Sequence, residues 1–186
     1  MTTGLLRRLF TVKEYNRMVE TGILTKYDRV ELIRGEIVQM SPIGRRHAAH
    51  VRRLDTLLSE KLGRCALVDT QNPIELDDAS QPQPDVALLQ PRADFYESGH
   101  PQADDILLIV EVADTTVETD RDVKIPLYAE QGISEVWLVD INGQCLEVYR
   151  QPSAEGYQER QKFYPGQTLF IQAFPDVEIA VADVLG

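Results

Sequence analysis

Two carboxylates stand in apolar segments of this sequence, where a charge needs a partner. Asp85 follows Pro84 and opens the apolar run 86–89, and Glu111 lies near the end of the apolar run 106–112. Runs of consecutive apolar residues are typical of strands that are covered on both faces. A buried charge is costly unless it is paired or binds a metal, so both carboxylates are candidates for chemistry.

The two carboxylates meet if their strands are antiparallel neighbours, because the start of one strand then lies beside the end of the other. At close range they repel, and the pKa of one rises unless a cation lies between them. Mg²⁺ suits that position, since one or two carboxylates hold it together with water and phosphate oxygens. The residues therefore predict a metal site formed by Asp85 and Glu111, with Mn²⁺ as the alternative ion.

Lys124 is the third candidate, in the first turns of the helix predicted after Glu111. A lysine beside a metal-bound water lowers the pKa of that water or stabilises negative charge on a phosphate. Each of the three residues also has a structural interpretation. Asp85 is then a turn residue, Glu111 is a partly exposed strand end paired with an arginine, and Lys124 is a solvated helix residue.

His47 and Glu31 are second-rank catalytic candidates. His47 lies near the start of the predicted helix 45–62, on its apolar face, and could bind a metal-bound water or a phosphate. The alternative is a buried histidine with satisfied hydrogen bonds. Glu31 alternates with apolar neighbours in a short strand, so it either reaches the site or is exposed. His50 and His100 are predicted to be surface residues.

The elements that must position these residues follow from apolar periodicity and turn residues. Apolar residues spaced three and four apart predict the long helix 45–62, ended by Gly63. A capping box at Thr11 opens a short helix that ends near Gly22, and a hairpin follows over 29–40. Strands are predicted over 66–70, 85–89, 106–112, 135–140, 145–150 and through 157–185, with a helix from 119 or 122 to 131 between them.

This order predicts an α/β (α+β) fold, with a mixed sheet flanked by helices and extra β-hairpins. Pro126 indicates that the second long helix begins just before it, because proline fits best in a first helical turn. The length of 186 residues predicts one domain over residues 1–186.

The charge of the chain weighs against sequence-independent nucleic-acid binding, since the net charge is −11. The charge is uneven, however. Residues 41–64 carry six basic and two acidic side chains, whereas residues 104–122 carry seven acids and one arginine. We therefore predict that the helix contacts phosphates through Arg45, Arg46, Arg52 and Arg53, while the acids hold a metal. The alternative is that both segments are solvent-exposed charged surfaces without a ligand, and the charge pattern alone favours neither interpretation.

The cysteines and the apolar runs indicate the cellular compartment in which the protein is expected. Cys65 and Cys145 form no C-x-x-C pair, which argues against a disulfide framework and a structural zinc site, and a reducing cytoplasm is expected. No run approaches the ~20 apolar residues of a membrane helix. Residues 1–10 lack the pattern of a signal peptide.

These residues also resemble known families. Pro84-Asp85, followed by Glu111 at the end of an apolar strand, resembles the PD-(D/E)XK nuclease motif with its lysine displaced. More specifically, residues 10–150 resemble the Uma-two (Uma2) family of restriction-endonuclease-like proteins. The motifs that carry this resemblance are 31–37 (ELIRGEI), the Ser-Pro loop at 41–42, His47, Pro84-Asp85-Val86, Val110-Glu111-Val112, Asp122-x-Lys124, and 128–140 from Tyr128 to Asp140.

The resemblance implies the restriction-endonuclease-like fold, with Asp85 and Glu111 as metal ligands and Lys124 as the catalytic lysine. The strict motif has its lysine two residues after the glutamate, where this chain has Ala113. The resemblance therefore implies that Lys124 reaches the same point from the helix.

We expect a Mg²⁺-dependent endonuclease that hydrolyses phosphodiester bonds, with DNA favoured over RNA. Two alternatives remain open: a catalytically silent interaction module that retains the nuclease fold, and a hydrolase of a small phosphate substrate. A homodimer is expected by analogy with endonucleases that cut both strands.

Overall fold

The structure is a computed structural model that describes residues 6–186. Residues 1–5 lie outside the described residues, and with them half of the segment over which no signal peptide is predicted. The interpretation of residues 1–186 as one domain stays a prediction.

The centre of the fold is a six-stranded mixed sheet in the order β3-β4-β5-β6-β7-β8. Its strands are β3 (Leu67–Thr70), β4 (Val86–Leu89), β5 (Ile106–Ala113), β6 (Glu135–Asp140), β7 (Cys145–Ser153) and β8 (Gly156–Phe163). Among these six strands, β5 and β6 are the one pair that runs parallel. This confirms the predicted mixed sheet, and the crossover between the two parallel strands carries the helix with Lys124.

Two hairpins lie beside this sheet, and short helices accompany them. Helix α1 (Val12–Glu20) begins with the predicted capping box at Thr11 and packs on the hairpin of β1 (Val30–Ile33) and β2 (Glu36–Gln39). The second hairpin joins β9 (Thr168–Ile171) to β10 (Phe174–Ala180). The predicted strand character of the C-terminal residues is wrong at the end, because helix α5 (Val181–Leu185) turns Val181, Val184 and Leu185 into the core.

Two apolar cores cover the faces of the sheet. Helix α2 (Arg45–Leu62) has the predicted bounds and packs its leucines on one face, together with α5. The helix α4 (Ile125–Glu130) covers the opposite face, against alternate residues of β5 and β6. Glu111 alternates with Val110 and Val112 of the first core, so its side chain lies on the α4 face of the sheet.

The crossover helix differs from its prediction. It begins with one α-helical turn, α3 (Val117–Thr119), passes through a π-helical segment (Asp120–Lys124) and continues as α4. Pro126 therefore lies well inside the helix. The wider π turn explains how it is tolerated, because the N–H of Ile125 bonds to the carbonyl of Asp120, five residues back, which relieves the crowding that a proline ring causes in a regular α-helix.

Candidate functional site

Asp85 lies directly before β4, at the edge of the sheet where β5 ends. The two strands pair in the predicted antiparallel sense, with Val86 opposite Val110, so Asp85 lies next to the strand position of Glu111. The Asp85 carboxylate accepts a hydrogen bond from the backbone N–H of Val112 at 2.9 Å. Its Oδ1 is 3.4 Å from the side-chain amide of Gln71. The backbone of one strand thus orients the carboxylate of the next.

Glu111 is buried on the α4 face, with 2% of its surface exposed. Its Oε1 accepts a hydrogen bond from the Tyr128 hydroxyl at 2.6 Å and lies 3.3 Å from Lys124 Nζ. Burial raises the pKa of Glu111 to about 8; the charge of Lys124 opposes this rise, and the charges of Asp120 and Asp85 add to it. The alternative of a partly exposed strand end paired with an arginine is wrong.

Lys124 reaches the carboxylates from the π-helical segment. Its Nζ lies 3.3 Å from Glu111 Oε1 and 3.3 Å from Glu31 Oε2, and the side chain is buried. Burial disfavours the ammonium, but the summed attraction of Glu111, Glu31 and two further acids raises the pKa of Lys124. The lysine is therefore charged and is not a solvated helix residue.

Glu31 is brought to the site by the first hairpin. Leu32 forms a β-bridge with Gln81, and the backbone N–H of Gln83 donates to Glu31 Oε2 at 3.0 Å. The hairpin thus lies against the segment that leads to Asp85. Of the two alternatives for Glu31, the structure places it in the site, with 6% of its surface exposed.

His47 lies on the first turn of α2 and contacts Asp85, with Nε2 3.0 Å from Asp85 Oδ2. The hydrogen bond to Asp85 raises the pKa of His47, against the opposing effect of burial. Its Nδ1 is buried without a hydrogen-bond partner among the described residues. His47 is therefore not the satisfied core histidine of the alternative interpretation.

The prediction that His50 is a surface residue is wrong. His50 is 9% exposed and its Nδ1 bonds to the backbone carbonyl of Arg46 at 2.8 Å, because one further helical turn places it on the buried side of α2. His100 is exposed, as predicted.

Two residues of the site were missed by the sequence reasoning. Asp120 is 5% exposed and accepts a hydrogen bond from the Thr116 hydroxyl at 2.9 Å, and burial raises its pKa. Tyr128 donates to Glu111. Asp120, Lys124 and Tyr128 follow one another at spacings of four, which places them along one side of a helix. That spacing is a signal favouring Asp120 over the exposed Asp122 of the quoted motif.

One pocket of about 340 Å³ is lined by Glu31, His47, Asp85, Glu111, Asp120 and Lys124. Tyr128 is not part of the lining and reaches the site through its hydrogen bond to Glu111. The lining of the pocket comes from Asp85 before β4, the end of β5, the π-helical segment, the first hairpin, the loop before α2 and the threonines after β5. Five acidic side chains line it, namely Glu31, Asp85, Glu111, Asp114 and Asp120, with two basic ones, Arg29 and Lys124. The excess of acids makes the pocket a place for a cation.

The family profile described as "putative restriction endonuclease" (Uma2) matches residues 12–182. The chain belongs to the Uma2 family. The match extends through the C-terminal hairpin, beyond the motifs quoted above. No curated protein matches the chain.

A solved structure with a similar fold is the crystal structure of a putative nuclease from Anabaena variabilis. It is 19% identical in sequence, the match covers 95% of this chain and 97% of that chain, and the TM-score is 0.71. At this identity the likeness shows the fold alone, which is the predicted restriction-endonuclease-like fold with a mixed sheet and flanking helices.

The pocket of this Uma2 family member fits a hard divalent cation. Its donors are carboxylate oxygens, which Mg²⁺ and Mn²⁺ prefer. Both contacts of Glu111 involve Oε1, and within the described part of the chain its Oε2 makes no hydrogen bond. Asp85 Oδ1 has only the long contact to Gln71. Glu111 Oε2 thus has no competing hydrogen bond among the described residues, and Asp85 Oδ1 has only this long one.

A second group of ligand types, Asp140, Cys145 and Glu147, brings its ligand atoms within 4.8 Å of one another. It does not fit a metal, because Arg121, Arg160 and Lys162 already contact the Glu147 carboxylate at 2.5–2.9 Å. Three cations around one carboxylate repel a further one. The pocket is therefore the better cation site, although its acids are less tightly clustered.

The four arginines of α2 divide into two pairs. Arg46 contacts Asp114 and Asn142, and Arg53 donates to the carbonyl of Leu185. Arg45 and Arg52 are exposed. The predicted phosphate contacts stay a prediction. Among the four, Arg46 is the arginine linked to the pocket, because its partner Asp114 lines it.

No helix in the described residues is long and apolar enough to cross a membrane.

Proposed function

We propose that this Uma2 family member is a metal-dependent nuclease that hydrolyses phosphodiester bonds in DNA. The observation that carries the proposal is the meeting of Asp85, Glu111 and Lys124 in one pocket, on two paired strands and the crossover helix. Membership of a restriction endonuclease family supports the reaction class.

Asp85 and Glu111 hold the ion in this proposal. The donor oxygens are Glu111 Oε2, which makes no hydrogen bond within the described residues, and Asp85 Oδ1, whose contact to Gln71 is long. The ion, Mg²⁺ or Mn²⁺, supplies Lewis acidity toward the phosphate and lowers the pKa of a bound water. Glu111 must lose its proton to bind it, since its pKa is about 8.

The remaining residues orient the metal ligands and neutralise charge on the phosphate. Lys124 stabilises the negative charge that develops on the phosphate, and Glu31 holds the ammonium 3.3 Å from its own carboxylate. His47 orients Asp85 by donating from Nε2. Its Nδ1 is buried, so in this proposal His47 acts through Asp85.

Calorimetric titration with Mg²⁺ and Mn²⁺ tests the site first. We expect binding by the wild type and its loss in Asp85→Asn and Glu111→Gln. Asp122→Asn is the matched control, because Asp122 is an exposed acid two residues from Lys124 and should leave binding unchanged. Cleavage of duplex DNA, single-stranded DNA and RNA then identifies the substrate.

A hydrolase of a small phosphate substrate is the second candidate function. The pocket measures about 340 Å³ and its catalytic carboxylate Glu111 is 2% exposed, which suits a ligand of nucleotide size. The net charge of −11 also disfavours long polyanions. Release of phosphate from nucleotides without cleavage of DNA would favour this candidate.

A silent interaction module is the third reading of the fold. DNA cleavage by the wild type that is lost in Asp85→Ala excludes it. The proposal also includes a homodimer in the cytoplasm, and light scattering that gives a monomer removes the dimer.

A further inference from the structure

A separate group of charged side chains surrounds Glu147, a residue of β7 outside the pocket. Glu147 is fully buried. Arg121 donates to both of its oxygens, at 2.5 and 3.2 Å. The other three donors are the Tyr149 hydroxyl at 2.5 Å, Arg160 at 2.8 Å and Lys162 at 2.9 Å.

Glu147 is a fixed anion. Burial disfavours its charge, but the hydrogen bonds from Arg121, Tyr149 and Lys162 lower the pKa of Glu147 to about 2. Paired donation by a guanidinium to a carboxylate is a strong and geometrically defined contact. The Arg121 side chain is therefore held in one direction relative to β7.

Arg121 differs from the other donors because it lies in the π-helical segment. Its neighbours in that segment, Asp120 and Lys124, line the pocket and are buried. Arg121 points the other way, toward Glu147 and toward Asp140 at the end of β6, 3.4 Å from its carboxylate. The segment is thus attached on one side to the pocket and on the other side to β6 and β7.

The backbone hydrogen bonds of this segment are fewer than those of a regular α-helix, so its side-chain contacts matter for its position. Its π turn is closed by the bond from Ile125 to Asp120, and the next residue, Pro126, has no N–H to donate. A helix that loses backbone hydrogen bonds opens locally at a lower free energy. Side-chain contacts must then hold Lys124 in place.

We propose that Glu147 is a positioning residue that acts through Arg121 to fix Lys124 and Asp120 against Glu111. The effect of Glu147 on catalysis rests on the proposed nuclease function, whereas its effect on the structure of the π-helical segment does not. The test therefore measures the local opening of the π-helical segment first and the catalytic rate second.

Glu147→Gln is the test variant, and Arg160→Gln is its matched control. Arg160 also contacts Glu147, but it lies on β8 and, among the described residues, makes no direct hydrogen bond to the π-helical segment. In metal-free Glu147→Gln we expect amide hydrogen exchange across residues 117–124 to be about 10-fold faster. The ¹⁵Nζ resonance of Lys124, visible when its protons are shielded from water, should disappear. Both should stay as in the wild type in Arg160→Gln.

Arg121→Gln covers the case in which Glu147→Gln fails to fold, since Arg121 is 25% exposed in its side chain and its removal leaves Glu147 with three other donors. Arg121→Gln should show the same faster exchange and the same loss of the Lys124 resonance. Arg121→Lys should recover part of the wild-type behaviour. Folded variants with unchanged exchange and an unchanged Lys124 resonance would overturn the proposal.

Kinetics separate this proposal from the proposed function. If the wild type cleaves a substrate, Glu147→Gln should lower kcat about 10-fold with little change in KM, because misplacement of a positioned group costs rate. A wild type without metal binding or cleavage refutes the nuclease function, while the exchange and Lys124 measurements still decide the positioning.

Discussion

The Glu111→Gln substitution examines the electrostatics of the pocket most directly. Gln keeps the shape of the side chain and an oxygen that accepts from Tyr128, but it removes the ionisable proton. In the native state Glu111 holds this proton up to its pKa of about 8, whereas in the unfolded chain it loses the proton near the ordinary glutamate pKa of 4.5. The native state therefore binds more protons than the unfolded chain between these two pH values, and its stability falls as pH rises through them.

The magnitude follows from the two pKa values. The interval from 4.5 to about 8, at about 1.36 kcal/mol for each pH unit, gives an upper limit of about 5 kcal/mol. This is the free energy of unfolding that the wild type loses between pH 4 and pH 9 when no metal is bound. Glu111→Gln does not lose it. The variant should therefore become more stable than the wild type as the pH rises, by up to about 5 kcal/mol at pH 9.

Urea denaturation at pH 5, 7 and 9 in the presence of a chelator measures this difference. Glu118→Gln is the control, because Glu118 is an exposed acid of α3 and its substitution should change stability by less than about 0.5 kcal/mol. Mg²⁺ added at pH 9 in place of the chelator should stabilise the wild type and not Glu111→Gln. Parallel stability curves for the wild type and Glu111→Gln would refute the reasoning, since they mean that Glu111 is not a buried acid with a raised pKa.

Further predictions concern the lysine, the core and the ion. Lys124→Met leaves Glu31 and Glu111 without their shared ammonium, so the free energy of unfolding at pH 8 should fall by about 3 kcal/mol and any cleavage by about 100-fold or more; thermal denaturation and a cleavage assay measure the two effects. Leu54→Ala removes a fully buried side chain of α2 and should cost about 2–5 kcal/mol, whereas Arg52→Ala on the exposed side of the same helix should cost less than about 0.5 kcal/mol, both by urea denaturation. The affinity for Mn²⁺ should rise between pH 6 and pH 8, because the ion replaces the proton of Glu111; calorimetry that gives a flat profile contradicts this exchange.

The sequence by itself determined the long helix, the strands of the central sheet and the meeting of Asp85 with Glu111. Apolar periodicity reports which face of a helix is buried, so the bounds of α2 were predicted correctly. Two acids at the ends of apolar strands predicted the edge at which β4 and β5 meet. These features are local, since each depends on spacing within one segment and on the high cost of an unpaired buried charge.

The tertiary structure decided which further residues reach the pocket. Glu31 lies in the pocket because the first hairpin packs against the segment before Asp85. The residue spacing within that hairpin does not predict this packing. The π turn was not predicted either, so Asp120 was missed and the helix was started too late.

The contacts of Glu147 show the same limit. Its donors come from the crossover helix, β7 and β8, between 2 and 26 residues away in the sequence. An apolar pattern identifies the strand that carries Glu147 but not the cations that neutralise it. Burial periodicity is a property of one element, whereas the partners of a buried charge depend on how several elements pack together.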